Sequence, residues 1–82
     1  MSLYDPIKRR LQSVTESQLI LSFDEMEQMI GQALPSSARN YDAWWSNEGP
    51  DRTRHVQSKA WTTLGFSAEV DRVRRQVTFR RR

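Results

Sequence analysis

Every second residue is apolar in two neighbouring segments, Phe66–Val70 and Val77–Phe79. This is the period of a β-strand with one buried face, and an arginine-rich stretch separates the two segments. The pattern predicts an antiparallel hairpin over 66–80 with a basic tip at 72–76. Any fold of this chain must therefore cover one face of a two-stranded unit.

Helical and strand patterns precede the hairpin. Apolar residues at helical spacing follow Asp5-Pro6, a pair typical of a helix start. Ser22 and Glu25 have the spacing of a capping box, and Gly31 is a typical helix end. The sequence predicts a helix over 6–14, a strand over 18–21, a helix from Ser22 to Gly31, a short helical segment over 37–45 and a helix over 55–64.

The order of these elements indicates an α+β fold. With 82 residues, the chain is long enough for a single domain, 1–82. The predicted order is that of a winged helix-turn-helix domain, with three or four short helices, an early strand and a C-terminal hairpin. The early strand is expected to pair with the hairpin in a small antiparallel sheet.

Composition excludes several classes of site. The chain has no cysteine and one histidine, so neither a disulfide framework nor a transition-metal site is expected. Its glycines are isolated, and no nucleophile motif accompanies the histidine. We expect no catalytic activity, no cofactor and no small-molecule substrate. No apolar run is long enough to span a membrane, and no signal peptide is visible, which favours the cytoplasm.

Charge is unevenly distributed along the chain. Residues 1–50 carry four basic and seven acidic side chains, whereas residues 51–82 carry nine basic and three acidic. The basic part favours a polyanionic partner. The leading hypothesis is a non-catalytic module that binds duplex DNA and regulates transcription or a mobile element.

The predicted hairpin supplies one group of candidate contacts. Guanidinium groups suit phosphate because they donate two hydrogen bonds in a planar fork. The alternative is that these arginines protect an edge strand from aggregation and solubilise the C-terminal tail. The candidates are Arg72, Arg74, Arg75 and Arg80, followed by Arg81 and Arg82.

The predicted helix 55–64 supplies a second group. Its polar face is expected to read base edges in a major groove, with arginines before it on phosphates. The alternative is an ordinary solvated helix face. The candidates are Gln57, Ser58, Lys59 and Thr62 on the helix, and Arg52 and Arg54 before it.

Four aromatic residues form a third group: Tyr41, Trp44, Trp45 and Trp61. Exposed aromatics beside arginines stack on single-stranded bases, but tryptophans in a small protein usually form its core. We expect about two of the three tryptophans in the core. One of the adjacent pair is expected at the margin, against Arg39 or Arg54.

Two functions other than duplex binding remain open. The acidic second helix and the basic C-terminal part are complementary, which favours a protein-interaction adaptor or a homodimer without nucleic-acid binding. Exposed tryptophans would instead favour single-stranded DNA or RNA.

Several segments of the chain form a recognisable pattern, and the double tryptophan of Ala43–Asn47 is the most specific of them. The others are Tyr4–Pro6, Ser22–Glu25, Leu34–Arg39, Gln57–Trp61, Gly65-Phe66 and Val77–Arg80. This pattern resembles that of a family of small bacterial and phage domains of uncharacterised function. Members of this family occur alone or beside nuclease-like domains, so the resemblance implies nucleic-acid or mobile-element biology. It implies no catalytic residues.

Overall fold

The computed structural model describes residues 3–47 and 56–82. Within these residues, helices pack on one face of a three-stranded antiparallel sheet. The chain order is α1 (Asp5–Gln12), β1 (Gln18–Ser22), α2 (Phe23–Ile30), α3 (Ser36–Asn40), a 3₁₀ turn (Asp42–Trp45), a second 3₁₀ turn (Val56–Ser58), α4 (Lys59–Thr62), β2 (Phe66–Asp71) and β3 (Gln76–Arg81). The predicted α+β class is confirmed.

Local signals determine where several elements begin and end. The Ser22 hydroxyl accepts the Glu25 amide, and the Glu25 carboxylate accepts the Ser22 amide, so the predicted capping box starts α2. Gly31 and Gly65 have φ of +79°, a conformation that favours glycine. Asp5 is the first residue of α1 rather than its cap.

The central strand of the sheet is β3. The strand order is β1-β3-β2, with Leu19 opposite Phe79 on one side and Ala68 opposite Phe79 on the other. The expected pairing of the early strand with the hairpin is confirmed. Because β3 lies in the middle, Arg80 and Arg81 do not lie on an edge strand, and the edge strand of the hairpin is β2.

Two predicted helices are shorter than expected. The predicted segment 37–45 divides into α3 and the first 3₁₀ turn. In the predicted helix 55–64, the second 3₁₀ turn precedes a four-residue α4. A buried aromatic cluster lies between these segments and the sheet, and it fixes their geometry through tertiary packing rather than local propensity.

Candidate nucleic-acid interface

The tip of the β2–β3 hairpin consists of residues 72–75, and we call it the hairpin tip. Val73 is 94% exposed, which is the highest exposure among the large apolar side chains of the described residues. Arg75 has a φ of +56°, so the chain reverses there through the left-handed region. The Asp71 carboxylate accepts the Arg74 amide at 3.0 Å, and the Arg75 carbonyl accepts the Phe23 amide at 2.8 Å. The tip is therefore held both within the hairpin and to the start of α2.

The arginines at this end of the sheet differ in what they bind. Arg72 donates from Nε to Asp42 Oδ1 at 2.8 Å and from Nη1 to the Asn40 carbonyl at 3.0 Å. Arg39 donates to Glu27 Oε2 at 2.6 Å. Both guanidinium groups thus connect elements of the fold.

Arg74 and Arg75 are less constrained. Both are exposed, and Arg74 lies 3.8 Å from the Asp71 carboxylate, a distance at the limit of an ion pair. Arg75 makes no side-chain hydrogen bond or ion pair within residues 3–47 and 56–82, although its charge helps to lower the pKa of Glu27. These two guanidinium groups are the ones at the hairpin tip that an anion can reach without breaking a short contact.

The remaining arginines of the hairpin lie at its opposite end. Arg80 contacts Gln18 on one neighbouring strand and Glu69 on the other, at 2.9 and 3.1 Å. Arg81 donates to the Val14 carbonyl and lies over the Phe66 ring, 4.6 Å from its centroid. The described arginines of the hairpin therefore form two groups, one at each end of β3.

Three of the residues predicted to read bases are buried. Gln57, Ser58 and Thr62 have relative exposures of 7%, 0% and 9%. Gln57 donates to the Trp44 carbonyl and Thr62 to the Ser58 carbonyl, both at 2.9 Å. The prediction that these side chains form an exposed face is wrong, because all three are buried and Gln57 and Thr62 satisfy backbone acceptors inside the protein.

Lys59 is the one predicted helix contact that lies on the surface of the described chain. Thr63, which follows α4, is exposed too, but its hydroxyl donates to the Lys59 carbonyl. The predictions for Arg52 and Arg54 lie outside the described residues.

All three tryptophans belong to the core. Trp44 packs edge-on against Tyr4, the residue before α1, and Trp45 stacks on Phe23 of α2, with ring centroids 5.7 and 5.5 Å apart. Both rings also contact Trp61, which has no exposed surface. The prediction of one tryptophan at the margin is wrong, because elements on two sides cover the 3₁₀ turn that carries the pair.

Tyr41 lies outside this cluster. It is 65% exposed, and its ring makes no aromatic contact within the described part of the chain. Because the tryptophans are buried, they offer no stacking platform for single-stranded bases. The prediction that Tyr41 shares a cluster with them is wrong.

Asn47 has a role that sequence reasoning missed. Its side-chain amide donates to the Ala68 carbonyl at 2.9 Å and accepts the Ala68 amide at 2.6 Å. One side chain thus takes the place of a further strand beside β2. The position of Asn47 two residues after the tryptophan turn is a visible signal, but its partner lies 21 residues away.

Two carboxylates of α2, those of Glu25 and Glu27, have lowered pKa values. Hydrogen bonds from the Leu34 amide and the Arg39 guanidinium lower the pKa of Glu27. Hydrogen bonds with Ser22 lower the pKa of Glu25. Both carboxylates are therefore stabilised in the charged form, and each contributes to the structure around α2.

Metal-binding clusters and membrane-spanning helices are absent from the described residues. No group of three or more histidine, cysteine, aspartate or glutamate side chains in residues 3–47 and 56–82 is arranged to hold a metal ion. No helix in this part of the chain has the length and apolar character needed to cross a membrane.

Comparison with known families gives a match over nearly the whole chain. The family described as a domain of unknown function (DUF7662) matches residues 4–82. The chain belongs to this family. No curated protein and no solved structure matches it. The match confirms the expectation that the chain belongs to a family of small domains of unknown function.

Proposed function

We propose that this DUF7662 domain is a non-catalytic, cytoplasmic module that binds duplex DNA mainly through its hairpin tip. The observation that carries the proposal is the pair Arg74 and Arg75 at the end of the hairpin. Arg75 has no ion-pair partner among the described residues, and Arg74 has only the 3.8 Å contact with Asp71. Such groups bind phosphates and enter narrow minor grooves.

The fold supports this use of the hairpin. The order of helices and strands, with β3 between β1 and β2, supports the proposal of a winged-helix arrangement, in which the last hairpin would be the wing. The exposed Val73 lies between the arginines of the tip, where an apolar side chain can contact sugars or wedge between base steps. The tip combines charge and an apolar contact in four consecutive residues.

The second contact in this proposal is weaker than the sequence predicts. Lys59 on α4 offers a charge for a phosphate, whereas Gln57, Ser58 and Thr62 are turned into the protein. The expected binding is therefore dominated by phosphate contacts and depends strongly on salt. A module of this kind fits a regulator of transcription or of a mobile element, as the phage and bacterial resemblance implies.

The test is a titration of duplex DNA at several salt concentrations with the double variant Arg74→Ala/Arg75→Ala. We expect affinity at low salt to fall about tenfold or more, and the slope of log Kd against log salt to decrease by about 0.9 for each arginine. The matched control is Arg80→Ala/Arg82→Ala, which removes the same charge from the opposite end of the hairpin.

The two variants separate a specific contact from net charge. If the control weakens binding as much as the tip variant, the tip has no special role. If neither variant changes affinity at any salt concentration, the proposal of DNA binding through this hairpin is wrong.

A further inference from the structure

The two edge strands of the sheet, β1 and β2, differ in how their outward backbone groups are hydrogen-bonded. Asn47 pairs with Ala68 and closes the outer edge of β2. The outer edge of β1 is the other end of the sheet, because β3 occupies the middle. The β1 sequence from Gln18 to Ser22 contains no charge and no proline, which are the usual protections of an exposed edge.

The hydrogen-bonding phase of β1 leaves part of its backbone pointing outwards. The Ser17 carbonyl accepts the Arg81 amide, and the Phe23 amide donates to the Arg75 carbonyl. Since antiparallel pairing alternates, the odd-numbered residues of β1 bond to β3 and the even-numbered residues face away from it. The amides and carbonyls of Gln18 and Ile20 therefore point out of the sheet. The Ser22 amide is already bound to Glu25.

Apolar and charged side chains flank this edge. Ile20 is 49% exposed on one face of the strand, although it lies in the middle of β1. Met29 is partly exposed and lines a groove along the strand together with Ile20, Arg10 and Glu25. The groove thus carries one positive and one negative side chain beside an apolar strip.

We infer that β1 pairs with β1 of a second copy of this chain, in antiparallel orientation. A two-fold axis near Ile20 joins the outward amides and carbonyls of both copies into a continuous sheet and packs the two Ile20 side chains together. The same axis brings a groove with Arg10 and Glu25 against its own equivalent. A surface with both charges is complementary to itself, whereas a surface of one sign would be repelled. This inference is independent of DNA binding.

The test is sedimentation equilibrium over a wide range of protein concentration. We expect a monomer–dimer equilibrium for the natural chain. Ile20→Arg places two like charges opposite each other across the axis, so Kd for dimerisation should rise about tenfold or more. Tyr41→Arg is the matched control, because it adds the same charge at an exposed aromatic residue away from β1. Near-ultraviolet circular dichroism of the buried tryptophans checks that each variant is folded.

Hydrogen exchange gives a second measurement that does not depend on a substitution. The amides of Gln18 and Ile20 should become more protected as concentration rises. A chain that stays monomeric throughout would overturn the inference and leave the edge to an extended peptide of another protein. A dimer that survives Ile20→Arg, or that forms without protecting these two amides, would overturn it too.

Discussion

Asn47→Ala is the substitution that most directly tests how β2 is held in place. The change removes two hydrogen bonds, of 2.9 and 2.6 Å, and leaves the amide and carbonyl of Ala68 without their protein partner. An unsatisfied buried backbone group costs about 1–3 kcal/mol. Because this edge is only partly buried, we expect a total loss of about 2 kcal/mol in the free energy of unfolding. For a domain of this size, that lowers Tm by about 10 °C.

Urea denaturation followed by tryptophan fluorescence measures this loss, since all three tryptophans are buried and report global unfolding. Asn40→Ala is the matched control. The Asn40 side chain is exposed and makes no hydrogen bond within the described residues, so its removal should change stability by less than about 0.5 kcal/mol. If Asn47→Ala is as mild as this control, the amide does not substitute for a strand. Faster hydrogen exchange of the Ala68 amide in the Asn47 variant would show that the effect is local to this edge.

Three further predictions concern the interior and the region around α2. Gln57→Ala should cost about 1–3 kcal/mol in urea denaturation because it leaves the Trp44 carbonyl unpaired, whereas the exposed Lys59→Ala should cost less than about 0.5 kcal/mol. Trp61→Ala should cost about 3–5 kcal/mol and is measured by the shift of the thermal transition; a loss below about 1 kcal/mol would contradict its central position. The lowered pKa of Glu27 stabilises the fold above the ordinary pKa of glutamate, and this stabilisation disappears as pH falls through the lowered value. Glu27→Gln should therefore flatten the acid side of the stability–pH curve, and an unchanged curve would contradict the role of this carboxylate.

Much of the fold could be predicted because its signals are local. The capping box at Ser22 and the glycine after α2 mark a helix within a few residues, and the alternation in the hairpin identifies its buried face. The helical segments around the tryptophan pair were predicted less well. Their ends depend on contacts between rings that are far apart in sequence, such as Trp45 with Phe23 and Trp61.

The candidate site was harder to predict because a residue type does not reveal its partner. Arg72 and Asp42 are 30 residues apart, and Arg80 and Gln18 are 62 apart, so nothing local distinguishes these paired arginines from Arg75. Polar residues on a short helix are ambiguous in the same way. In the sequence, Gln57 looks like a surface residue, but in the structure its side-chain amide donates a hydrogen bond to the Trp44 carbonyl.

The strand order has a consequence for how the chain folds during synthesis. The central strand, β3, is the last of the three to leave the ribosome, and β1 finds its partner only when Arg80 has joined Gln18 across 62 residues. Until then, the apolar residues of β1 and β2 have no ladder to join. Contacts of such high sequence separation slow folding and prolong the exposure of unpaired strands. The sheet of the nascent chain can therefore form only after β3 has been synthesised.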